Sequence, residues 1–371
     1  MTTPPAHPAT STLPNAGPPL ELVWPGKYHP ETHLRRQPIT LQGTATDPHP
    51  HRHHHHAPPI TPSTLAHGRF QHVLTAAIPE NTADFIYADP PFATDRLHRT
   101  TTSTTTTDDT AYSDRWTLPD YLDFLDDLIA LSYSRLAPDG ILAVHVDHRA
   151  SPYVRSLMQE HFGVVPGWGA THKQHSSPPV AAGGVFINEL IWRYGLGNSR
   201  GGKYFLRKHD TIAVFAKSKD YYFDPPVGPA SDAQKAKYCH IEDTGDGTQP
   251  PRRYMVSYGK KYYFKGGKRL DSILEIPSIS PTARERTGYP TQKPLALLEL
   301  LIRTFCKPGG LVIDPVAGCG TTAIAAARLD RPWIAIDQSP TAVDFARKRL
   351  VEHIGADHFD DVDYTSTPIV K

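Results

Sequence analysis

The segment Leu311-Val312-Ile313-Asp314-Pro315-Val316-Ala317-Gly318-Cys319-Gly320-Thr321-Thr322, followed by the helical pattern Ala323 to Leu329, constrains this chain most. An apolar run, a glycine-rich turn and a helix start, in that order, form a βα unit. At such a turn the backbone can approach a ligand closely, and the first N–H groups of the helix have no intrahelical acceptor. No Lys follows the last glycine, which argues against a Walker-type phosphate loop. Trp333-Ile334-Ala335-Ile336-Asp337 reads as the next strand. Asp337 at its end is placed either to bind ribose hydroxyls, as acids do in nucleotide folds, or to cap the helix starting near Pro340.

A second strand end carries a different chemistry. Phe85-Ile86-Tyr87-Ala88 reads as a short buried strand and runs into Asp89-Pro90-Pro91-Phe92. The two prolines remove two N–H donors and hold two φ angles, which stiffens the turn and leaves carbonyl oxygens free to accept. A carboxylate, a free carbonyl and an aromatic face side by side suit a planar base held by its exocyclic amino group. Asp224-Pro225-Pro226 reads as an ordinary turn.

Between these strand ends the pattern alternates. Apolar residues at helical spacing predict a helix from Leu118 to Leu136, and Asp139-Gly140 turns the chain into a strand over Ile141–Asp147. A helix over about 152 to 162 follows. Such alternation specifies an α/β fold with a mostly parallel sheet and helices on both faces. Phe186 to Tyr194 and Thr211 to Ala216 predict an antiparallel hairpin at its side, joined by a polar Gly/Arg/Lys loop.

With Asp89–Phe92, the loop Asp314–Thr322 and Thr291-Gln292-Lys293-Pro294 opening the helix before that loop, the chain resembles the S-adenosylmethionine-dependent DNA amino-methyltransferases. The order, catalytic motif first and cofactor loop last, resembles their beta class over roughly residues 67 to 352. The resemblance implies a Rossmann-like methyltransferase fold, circularly permuted, with an inserted target-recognition region. It also implies S-adenosyl-L-methionine as cofactor, double-stranded DNA as substrate and a flipped base. Asp89, Pro90, Pro91 and Phe92 are then catalytic: Asp89 and the Pro90 carbonyl accept the two amine hydrogens, and Phe92 stacks on the base. Asp314, Pro315, Gly318, Gly320, Thr321, Thr322 and Asp337 are the expected cofactor residues, with Thr291, Gln292, Lys293 and Pro294 closing over the same end. A side chain at Gly318 or Gly320 is expected to block the ligand.

Asp at the first motif position favours adenine N6 over cytosine N4, the alternative target within the family. The alternative of another class is a non-catalytic nucleic-acid-binding protein on a methyltransferase scaffold, against which the intact Asp89–Phe92 motif argues. Three positions depart from the family pattern. His67-Gly68-Arg69-Phe70 stands where the family shows Gly-Asp near the cofactor's adenine, Val316-Ala317 replaces a pair containing an aromatic, and Cys319 stands where Ser is common.

From about 218 to 285 the core periodicity lapses. Arg252, Arg253, Lys260, Lys261, Tyr262, Lys265, Lys268 and Arg269 lie in a run with no acid before Asp271, and are the candidate DNA-binding residues. The alternative is a solvated basic hairpin. The net charge is only +1, so a DNA partner rests on this patch and not on the total.

The expected organisation is an arm at 1–66, a catalytic half at 67–217, a recognition insertion at 218–285, a cofactor-binding half at 286–355 and a tail at 356–371. Within the Pro- and His-rich arm, Leu20 to Pro25 is apolar enough to pack on the main domain. The run His49 to His56 lacks the separated ligands of a specific metal site, so no metal is expected. The tract Thr100 to Asp109 is expected to form a loop beside the catalytic motif. The 3 cysteines have no paired spacing, and no apolar run reaches the ~18 residues of a membrane span. A cytoplasmic protein associated with the nucleoid through DNA is expected. It would stand alone or pair with a separate restriction nuclease, and a homodimer is compatible with its length.

Overall fold

The computed structural model describes residues 22–24, 27, 63–95, 97–99, 110–164, 183–195, 203–228, 230–242, 252–264, 267 and 269–365. The His-rich run, the tract at 100–109, Lys265 and Lys268 lie outside the described residues.

In chain order the elements are β1 (Thr64–His67), α1 (Phe70–Ala77), β2 (Ala83–Ala88), β3 (Leu97–Arg99), β4 (Thr110–Ser113), α2 (Leu118–Arg135), β5 (Leu136–Val146), α3 (Ser151–Phe162), β6 (Val185–Arg193) and β7 (His209–Ala216). They continue with α4 (Asp232–Lys237), β8 (His240–Glu242), β9 (Arg252–Ser257), β10 (Lys260–Tyr263) and β11 (Ile273–Leu274). The last group is α5 (Leu295–Phe305), β12 (Val312–Asp314), α6 (Thr321–Arg328), β13 (Trp333–Asp337), α7 (Pro340–Ile354) and β14 (Asp360–Asp363).

Nine strands form one sheet in the order β11-β6-β7-β5-β2-β12-β13-β1-β14. Within it β7 alone runs antiparallel to its neighbours. Alternate residues of each strand face opposite layers. On one side Ile86, Leu142 and Val144 pack against α1, α2 and α3; on the other Phe85, Tyr87 and Ala143 pack against α5, α6 and α7. From β2 the chain proceeds outward to β5, and from β12 it proceeds the opposite way to β13. The adjacent C-terminal ends of β2 and β12 are therefore the switch point of the sheet, where a crevice opens between diverging connections.

The helix starts are written locally. Thr117 Oγ1 accepts from Asp120 N–H at 3.4 Å at the head of α2, with Pro119 in the first turn. Ser339 Oγ accepts from Ala342 N–H at 3.3 Å and Pro340 opens α7. The cap of α7 is therefore Ser339, which leaves the Asp337 carboxyl for other partners.

Three boundaries differ from the sequence expectation. Thr64–His67, split between arm and catalytic half, is a strand between β13 and β14. Residues 360–363, expected in the tail, form the outermost strand, and Ile273–Leu274 of the expected insertion pairs with β6. Each is an edge or near-edge strand of four residues or fewer, too short for periodicity to register. From the arm, Trp24 is buried, with Nε1 donating to Asp123 at 2.9 Å, and Lys27 Nζ meets Glu160 at 2.6 Å. Of the stretch Leu20 to Pro25, expected to pack on the main domain, residues 22–24 are described, and Trp24 packs there.

Candidate active site

A cavity of about 480 Å³ opens at the switch point, in the size range of small-molecule sites. Asp89, Pro90, Pro91 and Phe92 line one wall and Asp314 to Cys319 another. Thr291, Gln292 and Lys293, along with Thr321, Thr322 and Asp337, complete the wall between them. The two strand ends read separately from sequence thus share one cavity. Gly320 and Pro294 do not line it, and Asp224-Pro225-Pro226 lies elsewhere, where Asp224 N–H donates to Thr304 O at 2.9 Å.

Asp89 divides its carboxylate between two environments. Oδ2 receives Lys293 Nζ at 2.5 Å, while Oδ1 is buried and accepts no hydrogen bond from the described protein. The Lys293 ammonium also stands 5.1 Å from the Phe92 ring centroid. Lys293, expected at the cofactor end, is therefore an ion-pair partner of the Asp89 carboxylate. Its place as the third residue of Thr291-Gln292-Lys293-Pro294 carried no sign of this.

The turn after Asp89 is clasped from outside. Asp114 accepts from Ala93 N–H at 2.8 Å and Thr94 N–H at 2.9 Å, and the Tyr121 hydroxyl donates to Pro91 O at 2.7 Å. Burial and the neighbouring Asp114 push the Tyr121 phenol well up, so it remains a donor. The Pro91 carbonyl is thereby occupied. Asp114 belongs to no motif and was not foreseen.

Behind the motif runs a buried relay. Tyr87 Oη is 2.7 Å from His145 Nδ1, His145 Nε2 is 3.3 Å from Asp210 Oδ2, and the Tyr194 hydroxyl donates to Asp210 Oδ1 at 3.1 Å. Burial raises the Tyr87 phenol and pushes Asp210 the same way, but hydrogen bonds from His145 and Tyr194, with Lys293 nearby, outweigh burial together and leave Asp210 below the usual carboxylate range. The consistent assignment is Tyr87 O–H donating to Nδ1 and Nε2–H donating to the Asp210 carboxylate. The His145 ring lies 6.2 Å from the Phe92 ring and 5.5 Å from that of Trp192, so the relay buttresses Phe92. A His inside an apolar strand was the available signal.

At the glycine-rich turn, Asp314 Oδ2 accepts from the Thr322 hydroxyl at 2.5 Å and Oδ1 from Val316 N–H at 3.1 Å. Burial, with Asp89 and Asp337 nearby, pushes Asp314 up to about 7. Asp337 accepts from Gly318 N–H and Ser339 N–H, each at 2.8 Å, and burial pushes it up to about 6. Two reluctant carboxylates beside an apolar wall suit a ligand that brings positive charge and hydroxyl or amine donors. Thr322 is engaged with Asp314, and Thr321 Oγ1 accepts from the buried Arg349 at 2.9 Å, so both threonines hold the turn itself.

The two glycines differ. Gly318 has φ +51°, and a Cβ there would sit 3.3 Å from the Tyr289 ring beside the cavity. Gly320 has φ +75°, and its Cβ would meet Ala346 Cβ of α7 at 3.0 Å. Gly320 therefore serves left-handed backbone and close α6–α7 packing, not the ligand space expected for it. Gln292 also turns inward: it accepts from Thr287 N–H at 2.9 Å and donates to Glu285 O at 2.6 Å, pinning its loop. Where the family acid is missing after Gly68, Phe70 borders the cavity with Phe124, 5.4 Å away edge-on, and Trp116, 5.0 Å from Phe124. Trp116 Nε1 is buried and donates to nothing among the described residues.

Of the candidate DNA-binding residues, Arg252, Arg253, Lys260, Lys261 and Tyr262 lie on a separate three-stranded sheet, β10-β9-β8. Its register puts Arg252, Tyr254, Lys261, Tyr263 and Glu242 on one face and Arg253, Met255, Lys260, Tyr262 and Ile241 on the other. The first face satisfies itself: Glu242 pairs with Lys261 at 2.7 Å and accepts from Tyr263, while Arg252 lies 4.5 Å over the Tyr263 ring. The acid absent from the linear run arrives from the neighbouring strand. On the second face Arg253 and Lys260 are exposed, with no ion-pair partner among the described residues, beside Tyr262 and Ile241. Arg269 stands apart, bridging Val227.

Among the described residues no cluster of three or more His, Cys, Asp or Glu could hold a metal, and no helix is long and apolar enough to cross a membrane. The DNA methylase family, covering N6 and N4 methyltransferases, matches residues 83–348, from β2 through most of α7. The Type II methyltransferase M.EcaI of Enterobacter cloacae is 25% identical over 336 residues, which cover 78% of this chain and 68% of that protein. M.HpaI of Haemophilus parainfluenzae is 23% identical over 287 residues, covering 76% and 72% respectively. In three dimensions the chain is similar to the M1.HpyAVI–SAM complex, with a TM-score of 0.48 at 18% identity over 77% of this chain and 98% of that one. The family match begins at the strand that carries Asp89 and ends beyond the turn that carries Asp314, so it spans both walls of the cavity, and the chain belongs to the N6/N4 DNA methylase family.

Proposed function

We propose that the chain transfers a methyl group from S-adenosylmethionine to the exocyclic amine of a flipped DNA base, with adenine N6 the preferred target. The carrying observation is Asp89, whose Oδ1 is buried without a protein donor while Oδ2 is held by Lys293. A buried acceptor of that kind is stable when a ligand supplies the donor, and an exocyclic amine does so.

The residues fit the cofactor on chemical grounds. Asp314 and Asp337 favour a cationic ligand with hydroxyl and amine donors, Gly318 leaves backbone space, and Phe70, Phe124 and Trp116 provide an aromatic wall for a purine. When bound, S-adenosylmethionine supplies an activated methyl electrophile. The chain has to align the amine and raise its nucleophilicity. Asp89 Oδ1 and the Pro90 carbonyl accept the amine hydrogens, which draws the nitrogen lone pair out of conjugation. Phe92, buttressed by His145, stacks on the base. Asp89 Oδ1, as an acceptor of one amine N–H, would also take the proton that the methylated nitrogen releases.

Incubating the protein with duplex DNA and labelled S-adenosylmethionine, then digesting to nucleosides, tests this directly. N6-methyladenine is expected. N4-methylcytosine would overturn the target assignment, and unmodified DNA would overturn methyl transfer itself.

A further inference from the structure

We propose that Tyr204-Phe205-Leu206, in the loop between β6 and β7, is a wedge that enters the duplex where the target base leaves it. The proposal rests on the flipped-base reading above and adds the element that drives flipping.

Phe205 is 97% exposed, Tyr204 61% and Leu206 45%, three consecutive apolar residues with no core to join. Such a run costs solubility unless a partner covers it. Its neighbours identify the partner's charge. Lys203 and Arg207 flank it, and the Arg207 guanidinium lies 5.2 Å over the Tyr204 ring, which braces the loop. Cations beside protruding aromatics match a polyanion with stacked planar groups, which a duplex is and an apolar protein surface is not.

Topology aims the loop at the cavity. Ala88, the last residue of β2, pairs with Val144 of β5, and Val144 pairs with Ala213 of β7. Since β7 is antiparallel, the chain preceding it projects past the same sheet edge from which Asp89 emerges. Two strand spacings separate β7 from β2, about 10 Å laterally. Tyr194 N–H donates to Lys208 O at 3.1 Å and closes the base of the loop. Tyr194 also holds Asp210, so the loop's root and the relay behind Phe92 share a residue.

A wedge lowers the cost of unstacking and is needed only when the target base is paired. The test measures single-turnover methylation by wild type and Phe205→Ala on a duplex of the methylated sequence, and on the same duplex with an abasic site opposite the target. Phe205→Ala is expected to be about tenfold slower on the paired duplex, the scale of one lost stacking contact. On the abasic duplex it should match wild type, and Phe205→Trp should retain the rate on both. Thermal denaturation should not change, because the side chain packs against nothing. Equal rates of wild type and Phe205→Ala on the paired duplex overturn the wedge, as does an equal slowing on both duplexes. The flipped-base reading is checked separately, with 2-aminopurine at the target position. Wild type that leaves its fluorescence unchanged overturns flipping and the wedge together, whereas a fluorescence rise with an unimpaired Phe205→Ala overturns the wedge alone.

Discussion

Lys293 Nζ lies 2.5 Å from Asp89 Oδ2, joining residues 204 positions apart and leaving Oδ1 of the same carboxylate for a ligand. Lys293 is 8% exposed and Asp89 18%, so this is a largely buried pair between the turn after β2 and the segment before α5. A carboxylate so held presents one oxygen in a defined direction.

Removing either partner should separate catalysis from cofactor binding. Asp89→Ala is expected to lower methyl transfer by about 100-fold or more, since one charged hydrogen bond at a transition state is worth on the order of 2 to 4 kcal/mol. Lys293→Met should produce a similar loss by freeing Asp89 to rotate. Single-turnover rates measure both, and calorimetry should find S-adenosylmethionine affinity within about threefold of wild type. Lost affinity at an unchanged rate in Lys293→Met would return this lysine to the cofactor's side of the cavity.

The raised carboxyls predict opposite pH trends for the free and loaded protein. Asp314 at about 7 and Asp337 at about 6 are harder to ionise folded than unfolded, where the value is 3.8. Their contribution to stability is therefore complete below about 4 and is lost as pH rises through 6 to 7. A cationic ligand prefers them ionised. The rise in melting temperature produced by S-adenosylmethionine should thus be larger at about pH 8 than at about pH 5.5, while the unliganded protein loses their contribution over that interval. A ligand-induced shift independent of pH would show that neither carboxyl meets the cation.

His145 and Asp210 should respond asymmetrically. His145→Phe strands the Tyr87 hydroxyl and the Asp210 carboxylate in the core, at a cost of about 3 kcal/mol or more. Asp210→Asn still offers His145 Nε2–H an acceptor and should cost about 1 kcal/mol. Urea unfolding measures both, and an Asp210→Asn cost as large as that of His145→Phe would show that the charge of Asp210, and not merely its acceptor oxygen, holds the relay.

On the small sheet, Lys260 and Lys261 are not equivalent. Lys261 is paired with Glu242, whereas Lys260 faces solvent beside Arg253 and Tyr262. Lys260→Ala should weaken binding to every duplex and reduce the salt slope by about 0.9, the loss of one phosphate contact. Adding Lys261→Ala should change the slope little further. A drop of about two would mean that DNA displaces Glu242.

Much of the fold was legible because its elements announce themselves locally. The helix at 118–135 has apolar spacing and a Thr-Leu-Pro-Asp start, and Trp333–Asp337 is bounded by turns. The strands at 64–67 and 360–363 were not legible: one is four residues long and the other mostly Asp, and each is a strand because a neighbour supplies its hydrogen bonds. That Asp89 and Asp314 sit at strand ends was legible because each ends a buried strand in a local motif, and the fold brings both to one cavity. The places of Asp114, Asp210 and Arg349 were not legible, since isolated polar residues gain meaning from what lies across the fold.

The sequence by itself determined an alternating α/β chain with a rigid acidic turn at one strand end and a glycine-rich turn at another. Both are properties of neighbouring residues: φ restriction at proline, φ freedom at glycine, and the period of apolar side chains. The tertiary structure alone decided which charges meet. It gave Lys293 to Asp89, put Glu242 against Lys261 from another strand, and assigned Gly320 to helix packing. Charge pairing and steric fit act through space at a few ångströms, between residues whose separation along the chain carries no record of that distance.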